Sequence, residues 1–443
     1  MPKVHIIAVG GAVMHNLAID LAGLGCEVTG SDDEIYEPAL SRLKAHGLLP
    51  QQIGWHPEKI TDDLDYVVLG MHAKKDNPEL ILALVKGIPV YSYPELIYNL
   101  SKDKKRIVVA GSHGKTTITS MILHVLQKNN LDFDYVVGAQ IEGFDKMVKI
   151  SDAPIIVLEG DEYLSSPLDP RPKIHHYHPH ISVLTGIAWD HINVFPTYAD
   201  YLKAFSDYLQ LIEKNGSLIY NQNDGEVASL VKQTKDIVTI PYDGLTRDAE
   251  KSAVLFDGKS YPISVIGNHN LSNLAAAMQV CKLIGMAEDV FLTSVGDFKG
   301  AAKRLQLIKK TEQKEIFLDF AHAPSKVLTT TQAFKQWFGN KNLCAVFELH
   351  TFSSLDEKFL PQYKNTLHAA DKAIVYVSKH TLLMKNKPFL DEEMIKNAFQ
   401  HQNIAVIYEK DDLVTELKKS QYKDYNVLLM TSGTFDQLDY QTL

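Results

Sequence analysis

The chain has 443 residues, about three domains' worth at ordinary domain size. Hydrophobic residues make up 45 % and charged residues 22 %, which excludes a disordered or collagen-like chain. Lys plus Arg total 45 against 54 Asp plus Glu, a formal charge of −9, so the basic footprint that a nucleic-acid backbone requires is missing. An anionic small ligand stays compatible, because local donors can outweigh a global charge. No apolar run reaches the ~18 residues of a membrane span. Cys26, Cys281 and Cys344 have neither metal-type nor redox-type spacing and sit among apolar neighbours, as buried thiols of a reducing compartment do. A cytoplasmic, multidomain protein is expected.

In chain order, Val4–Val9 reads as a strand running into the turn Gly10-Gly11, not as a signal peptide. Met14–Leu24 reads as a helix. Glu27–Gly30, Tyr66–Gly70 and Pro89–Tyr91 read as strands beside helical stretches, which predicts a parallel sheet of βαβ units. The charged run Ser101-Lys-Asp-Lys-Lys-Arg106 reads as a surface linker, followed by strand Ile107–Ala110 and helix Thr116–Gln127. Strands Ile155–Leu158 and Ser182–Leu184 and the helical stretch Leu271–Leu283 complete a second unit. A third begins near Gly300, with strands Glu315–Leu318, Leu343–Phe347, Ala373–Val377, Ala405–Tyr408 and Val427–Met430. The expectation is an α/β chain of three domains, residues 1–103, 104–298 and 299–443.

The strongest local signal is Gly111-Ser112-His113-Gly114-Lys115-Thr116-Thr117, placed between a strand and a helix. In that context glycines turn backbone N–H groups toward phosphate oxygens, and the helix N-terminus adds positive potential. Lys115 would reach the terminal phosphates of ATP, and the Thr116 hydroxyl would hold Mg²⁺. The spacing departs from the standard loop, with Val109 where the first glycine usually stands. Because Lys115 belongs to a loop, its loss is expected to abolish activity without disturbing the fold.

Ile155-Ile-Val-Leu-Glu159-Gly-Asp161-Glu162-Tyr163 delivers three carboxylates at the C-terminal end of a strand, where open α/β sheets bind ligands and where a hard cation could bridge phosphates. Trp189-Asp190-His191 adds an imidazole. Between them, Asp169-Pro-Arg171-Pro-Lys173-Ile-His175-His176-Tyr177-His178-Pro-His180 is rich in histidine, but proline breaks it and no zinc spacing fits. Arg171 and Lys173 read instead as a cationic surface for a carboxylate substrate, or as a solvated loop. Gly267-Asn268-His269-Asn270-Leu-Ser-Asn273 offers either helix caps or contacts to a nucleotide base. In the third unit, Arg304 could neutralise a γ-phosphate, and Asp319, at the end of a strand, could accept from ribose hydroxyls.

Taken in order, Gly-Ser-His-Gly-Lys-Thr-Thr, Glu-Gly-Asp-Glu-Tyr, Trp-Asp-His, Gly-Asn-His-Asn-x-x-Asn and Asp-Phe-Ala-His-Ala-Pro resemble the Mur ligases over essentially the whole chain. These are ATP-dependent amide ligases of peptidoglycan assembly. The resemblance implies a Rossmann-like UDP-binding domain, a central phosphate-loop ATPase domain and a Rossmann-like C-terminal domain that closes on the nucleotide. It implies ATP and Mg²⁺, with Thr116, Glu159 and His191 as metal ligands and Lys115, His191 and Arg304 in catalysis. Gly111, Ser112, His113, Gly114, Lys115, Thr116 and Thr117 would cradle the phosphates. Asn268, His269 and Asn270 would hold the adenine side, with Arg304 on the γ-phosphate and Asp319 on the ribose. Gly10, Gly11, Ser31 and Asp32 would serve the UDP-sugar end.

Two branches act on UDP-N-acetylmuramate. One adds L-alanine. The recycling branch, the murein peptide ligases, adds L-alanyl-γ-D-glutamyl-meso-diaminopimelate. Val28-Thr-Gly-Ser-Asp32 with Tyr36 and Pro38, and Asp169-x-Arg171-x-Lys173-x-x-His176-Tyr177, resemble the recycling branch, so Arg171 and Lys173 become peptide-site candidates. Three departures stand out. The first glycine-rich turn is Ala8-Val-Gly10-Gly11-Ala-Val13-Met14, with alanine and valine at two usual glycine positions. Ser206 occupies the slot of a lysine that many relatives carbamylate, with Lys203 one turn earlier, so that modification is not expected. Glu348-Leu-His350-Thr351-Phe-Ser353-Ser354 stands where the recycling branch usually offers an arginine. A monomer is expected, with no nucleic-acid or membrane partner. The alanine-adding ligase, a folate-polyglutamylating ligase of the same build and a nucleotide-binding sensor derived from such a ligase are the alternatives.

Overall fold

A computed structural model describes residues 1–191, 194–248, 253–300, 305–311, 314–339, 341–419 and 422–443. The chain opens with a parallel sheet of β1 (Lys3–Ile7), β2 (Glu27–Ser31), β3 (Tyr66–Leu69) and β4 (Val90–Ser92), ordered β2-β1-β3-β4. Alternate residues of β1 feed opposite faces, as a two-residue period requires. Val4 and Ile6 pack with Met14, Leu17 and Leu21 of the helix Ala12–Gly23, whereas Ile7 packs with Val67, Leu69 and Leu80. Both faces are therefore covered, as all-parallel sheets demand.

The second sheet has seven strands: β5 (Lys105–Ala110), β6 (Asp134–Val136), β7 (Val148–Lys149), β8 (Ile155–Glu159), β9 (Ile181–Leu184), β10 (Ser217–Asn221) and β11 (Val238–Tyr242). Their order is β11-β10-β9-β5-β8-β6-β7, so β5 lies at the centre with β8 and β9 beside it. Ile107, Val108, Val109 and Ala110 are fully buried. A small antiparallel sheet follows, made of β12 (Thr246–Asp248), β13 (Ala253–Phe256) and β14 (Lys259–Pro262).

The run Ser101–Arg106 is not a solvated linker. Strand β5 starts at Lys105, and Arg106 is 3 % exposed. Its Nε donates to the carbonyls of Tyr177 (2.9 Å) and His178 (3.0 Å), Nη1 to those of Ser101 and Lys102 (2.9 Å each), and Nη2 to Glu213 Oε1 (2.8 Å). All three guanidinium nitrogens find acceptors, with the single Nε hydrogen shared between two carbonyls, which is what lets a guanidinium be buried. Close packing also ties the first sheet to the second. Asn16 Oδ1 accepts from Met147 N–H (3.0 Å) and Asp20 Oδ2 from Ile150 N–H (2.7 Å), which fixes the helix Ala12–Gly23 to the β7 edge. Residues 1–263 and 272–298 accordingly form one compact unit.

The other compact unit comprises residues 264–271 and 299–443. Its sheet contains β15 (Gln306–Lys310), β16 (Glu315–Asp319), β17 (Asn342–Glu348), β18 (Lys372–Tyr376), β19 (Ile404–Ile407) and β20 (Tyr425–Met430), ordered β15-β16-β20-β17-β18-β19. All pairs are parallel except the edge strand β15 on β16. Ile316, Leu318, Cys344, Val346 and Leu429 pack on one face, and Phe317, Ala345, Phe347 and Leu428 on the other. All three cysteines are free; burial pushes the Cys281 and Cys344 thiols up to about 12. No helix among the described residues is long and apolar enough to cross a membrane.

Candidate active site

The sheet β5-β8-β9 presents its C-terminal ends at a topological switch point, because β8 and β9 flank β5 from opposite sides. That is where open α/β sheets leave a crevice. Three segments meet there: the loop 111–114 after β5, the carboxylates after β8, and residues 185–191 after β9.

The loop is shaped by two glycines. Gly111 has φ +117°, and a Cβ on it would lie 2.3 Å from Thr185 Oγ1 and 2.8 Å from Thr185 N. Gly114 has φ +77° and opens the helix Lys115–Lys128; a Cβ there would meet Asn273 Oδ1 at 2.4 Å. Only glycine fits either place. Between them, Ser112 Oγ accepts from Ala188 N–H (2.7 Å) and lies 3.0 Å from Tyr201 OH.

Lys115 Nζ donates to Gly111 O (2.6 Å) and to Glu162 Oε2 (2.8 Å). Burial alone would lower its pKa, but Glu162, Asp161 and Glu159 outweigh that and hold the ammonium above its ordinary value. Thr116 Oγ1 donates to Glu159 Oε1 (2.6 Å), while Glu159 Oε2 accepts from Gly138 N–H (2.7 Å). A hydroxyl and a carboxylate converging at a helix N-terminus are hard oxygen donors suited to Mg²⁺, which keeps most of its shell for water and phosphate. Among the described residues no three His, Cys, Asp or Glu side chains converge into a ready-made metal cage. His191, with φ +57°, lies across Glu162: Nε2 is 3.7 Å from Glu162 Oε1, and the ring packs edge-on to Tyr163.

Lys173 and Arg171 separate. Lys173 Nζ is 2.5 Å from Asp161 Oδ2 and 5.7 Å from the ring centroids of both Tyr93 and Tyr163. Burial would raise the Asp161 pKa, but Lys173 and Lys115 hold it below the usual carboxylate value. Arg171 instead closes on its own loop, with Nε and Nη2 both donating to Asp169. The histidines here are structural. His175 Nε2 meets Ala204 O (2.7 Å), His176 Nε2 lies 3.1 Å from Asp169, and His180 Nδ1 accepts from Arg106 N–H (3.1 Å). His113 belongs to the loop and has partners of its own.

At the first sheet, Gly10 N–H donates to Asp32 Oδ2 (2.6 Å), so this carboxylate already occupies the turn's donor. Burial pushes the Asp32 carboxyl up to about 6. Lys59 Nζ reaches Gly30 O (2.9 Å) and Ser31 Oγ (3.2 Å), a cation at the end of β2 that no motif in the sequence announces. Gly11 precedes the helix Ala12–Gly23.

In the second compact unit, Asn268 Nδ2 donates to Gln336 Oε1 (3.0 Å) and Asn270 Nδ2 to Ile266 O (2.8 Å). His269 Nδ1 is shielded without a hydrogen-bond partner, and burial lowers that ring's pKa. Asp319 closes β16; its oxygens accept from Leu305 N–H and Ala321 N–H at 2.8 Å each. Arg304 lies outside the described residues.

In the sequence Glu162 is one of three carboxylates that could meet a cation, and no motif marks Tyr201, Lys59 or Tyr93. Only spacing in three dimensions joins Tyr201, 39 positions away, to Glu162.

Three family profiles match in series: the Mur ligase family catalytic domain at residues 3–105, the Mur ligase middle domain at 109–281 and the Mur ligase glutamate ligase domain at 303–433. A UDP-N-acetylmuramate–L-alanine ligase of a Sulfurihydrogenibium species is 31 % identical over 81 % of this chain and 78 % of its own length. The UDP-N-acetylmuramate–L-alanyl-γ-D-glutamyl-meso-2,6-diaminoheptandioate ligase of Escherichia coli is 28 % identical over 78 % of each chain. Among solved structures, a murein peptide ligase from Psychrobacter arcticus shares the fold with a TM-score of 0.68 at 22 % identity, covering 100 % of this chain and 98 % of the other. The chain belongs to the Mur ligase family, whose members are ATP-dependent ligases that form amide bonds.

Proposed function

We propose that the protein joins L-alanyl-γ-D-glutamyl-meso-diaminopimelate to the lactyl carboxylate of UDP-N-acetylmuramate through an acyl phosphate. The observation that carries this reading is Lys173. The segment Asp169–Tyr177, the part of the sequence that resembles the recycling branch, delivers its ammonium to Asp161 next to Lys115. An anionic substrate group would thus find two lysines on one side of the crevice, and would draw them from the carboxylates that pair them, Asp161 and Glu162.

A carboxylate is a poor acyl donor, so one of its oxygens first attacks the γ-phosphorus of ATP and ADP departs. Lys115 and the N–H groups of residues 111–117 would stabilise the charge on the transferring phosphoryl group. Thr116 and Glu159, with His191 nearby, would hold Mg²⁺, which when bound neutralises phosphate charge. The amine then attacks the acyl carbon, and the tetrahedral adduct collapses to amide and inorganic phosphate. Residues 1–103 would take the UDP-sugar through Gly10, Gly11, Ser31 and Asp32, and residues 104–298 the ATP phosphates. Asn268, His269 and Asn270 would contact the adenine side, Asp319 the ribose and Arg304 the γ-phosphate. Arg171, clamped by Asp169, would shape the peptide site more than it supplies charge.

A second reading, addition of L-alanine, is favoured by the several relatives that carry that name. Phosphate release with ATP, Mg²⁺ and UDP-N-acetylmuramate, given either L-alanine or the tripeptide and with product mass read in each tube, separates them. Turnover with the tripeptide alone is expected. Turnover with alanine alone overturns the peptide assignment.

A further inference from the structure

Glu162 is a buried carboxylate, 2 % exposed, with partners on three separate segments. Oε2 takes Lys115 Nζ at 2.8 Å; Oε1 accepts from Tyr201 OH at 3.1 Å and faces His191 Nε2 at 3.7 Å. Tyr201, on the helix Tyr198–Leu209, is itself fully buried, and its hydroxyl lies 3.0 Å from Ser112 Oγ of the phosphate loop. Ser112 Oγ in turn accepts from Ala188 N–H (2.7 Å), in the segment that leads to His191. The result is a closed ring: loop, helix start, Glu162, Tyr201 and the His191 segment.

We infer that Glu162 is a positioning residue that holds Lys115 directly, is tied by Tyr201 to the phosphate loop and the segment leading to His191, and competes with nucleotide phosphate for the Lys115 ammonium. The inference rests on the nucleotide-binding reading of the same site. An ammonium has three donors, and here Gly111 O and Glu162 already engage it. A terminal phosphate must therefore draw Lys115 from an anion that stays buried, retained by the Tyr201 hydroxyl. Glu162 weakens nucleotide binding in the ground state and keeps the lysine aligned for phosphoryl transfer.

The prediction has an unusual sign, because removing the charge should tighten ATP and slow turnover. Dissociation constants for ATP, with and without Mg²⁺, and phosphate-release rates would be measured on wild type, Glu162→Gln, Glu162→Asp and Tyr201→Phe, each checked for an unchanged circular dichroism spectrum. Glu162→Gln should bind ATP about three- to tenfold tighter in both conditions and turn over at least about tenfold more slowly. Glu162→Asp, which restores the charge, should bring ATP affinity back toward wild type. Tyr201→Phe should lose turnover by about threefold or more with affinity nearly unchanged.

Unchanged affinity and turnover in Glu162→Gln overturns the inference, as does weakening seen only with Mg²⁺, which would make Glu162 a metal ligand. If wild type binds ATP and the variants shift as stated, but neither amine supports turnover, the ligase assignment fails and the competition for Lys115 stands on the binding data. Wild type that binds no ATP overturns both.

Discussion

At the residue scale, the phosphate-loop lysine illustrates what position in a loop conceals. A loop side chain is expected to be dispensable for folding, yet Lys115 is the cation that neutralises a carboxylate 2 % exposed to solvent. Breaking such a pair from one side leaves an uncompensated buried charge, which costs about 3 kcal/mol or more. Lys115→Ala should therefore abolish ligation and also lower unfolding stability in urea by about that amount. The double variant Lys115→Ala, Glu162→Gln should regain most of the stability and none of the activity, with a coupling energy of about 1–3 kcal/mol in the cycle. A Lys115→Ala protein as stable as wild type would mean that water reaches Glu162 and that the pair is not structural.

At the scale of elements, the strand–loop–helix of residues 105–128 was legible because each part carries a local signal: an apolar run, two glycines and a helical pattern. The glycines can be tested directly. Gly111 sits at φ +117°, and a methyl there would approach the Thr185 backbone at 2.8 Å. Gly111→Ala thus combines a forbidden conformation with a clash that neither rigid strand can relieve. A loss of about 2–4 kcal/mol and of ATP binding is expected, read by thermal unfolding and nucleotide titration. What local signals do not carry is partnership. Arg106 reads as part of a charged linker because the acceptors that bury it include residues 177, 178 and 213, all distant in sequence. Strands β10 to β14 went unseen for a related reason. The burial pattern of β11 is mostly exposed, β12 and β14 are three or four residues with charged or polar members, and β13 is a four-residue apolar run, so no two-residue apolar period announces them. The candidate site divides the same way. Motif residues such as Thr116 and Glu159 do meet, while the Glu162–Tyr201 contact is tertiary and has no sequence signature.

At the scale of the whole molecule, buried titratable groups set how stability follows pH, and here they oppose one another. Burial lowers the pKa of His15, His175, His176, His178, His180 and His269, with His176 brought to about 4. Each takes up its proton less readily folded than unfolded, so as pH falls below the ordinary histidine value of 6.5 the unfolded chain binds more protons and stability drops. For His176 alone the loss approaches about 3 kcal/mol once pH has passed through 4. Asp32 acts in reverse. Its folded pKa, about 6, lies above the ordinary 3.8, so its contribution is complete below 3.8 and is lost as pH rises through 6, again about 3 kcal/mol. Burial raises Asp20 in the same direction, and two carboxyls against six imidazoles still leave the histidines dominant. The unfolding midpoint should therefore fall between pH 7.5 and pH 5. Asp32→Asn keeps an oxygen for Gly10 N–H and removes the opposing titration, so it should steepen that fall. His176→Gln should flatten it. An Asp32→Asn slope identical to wild type would show that this carboxylate is already ionised well below pH 6. The backbone donor of Gly10 would then face a fixed negative charge at every working pH, and a diphosphate would have to displace Asp32 before it could use that turn.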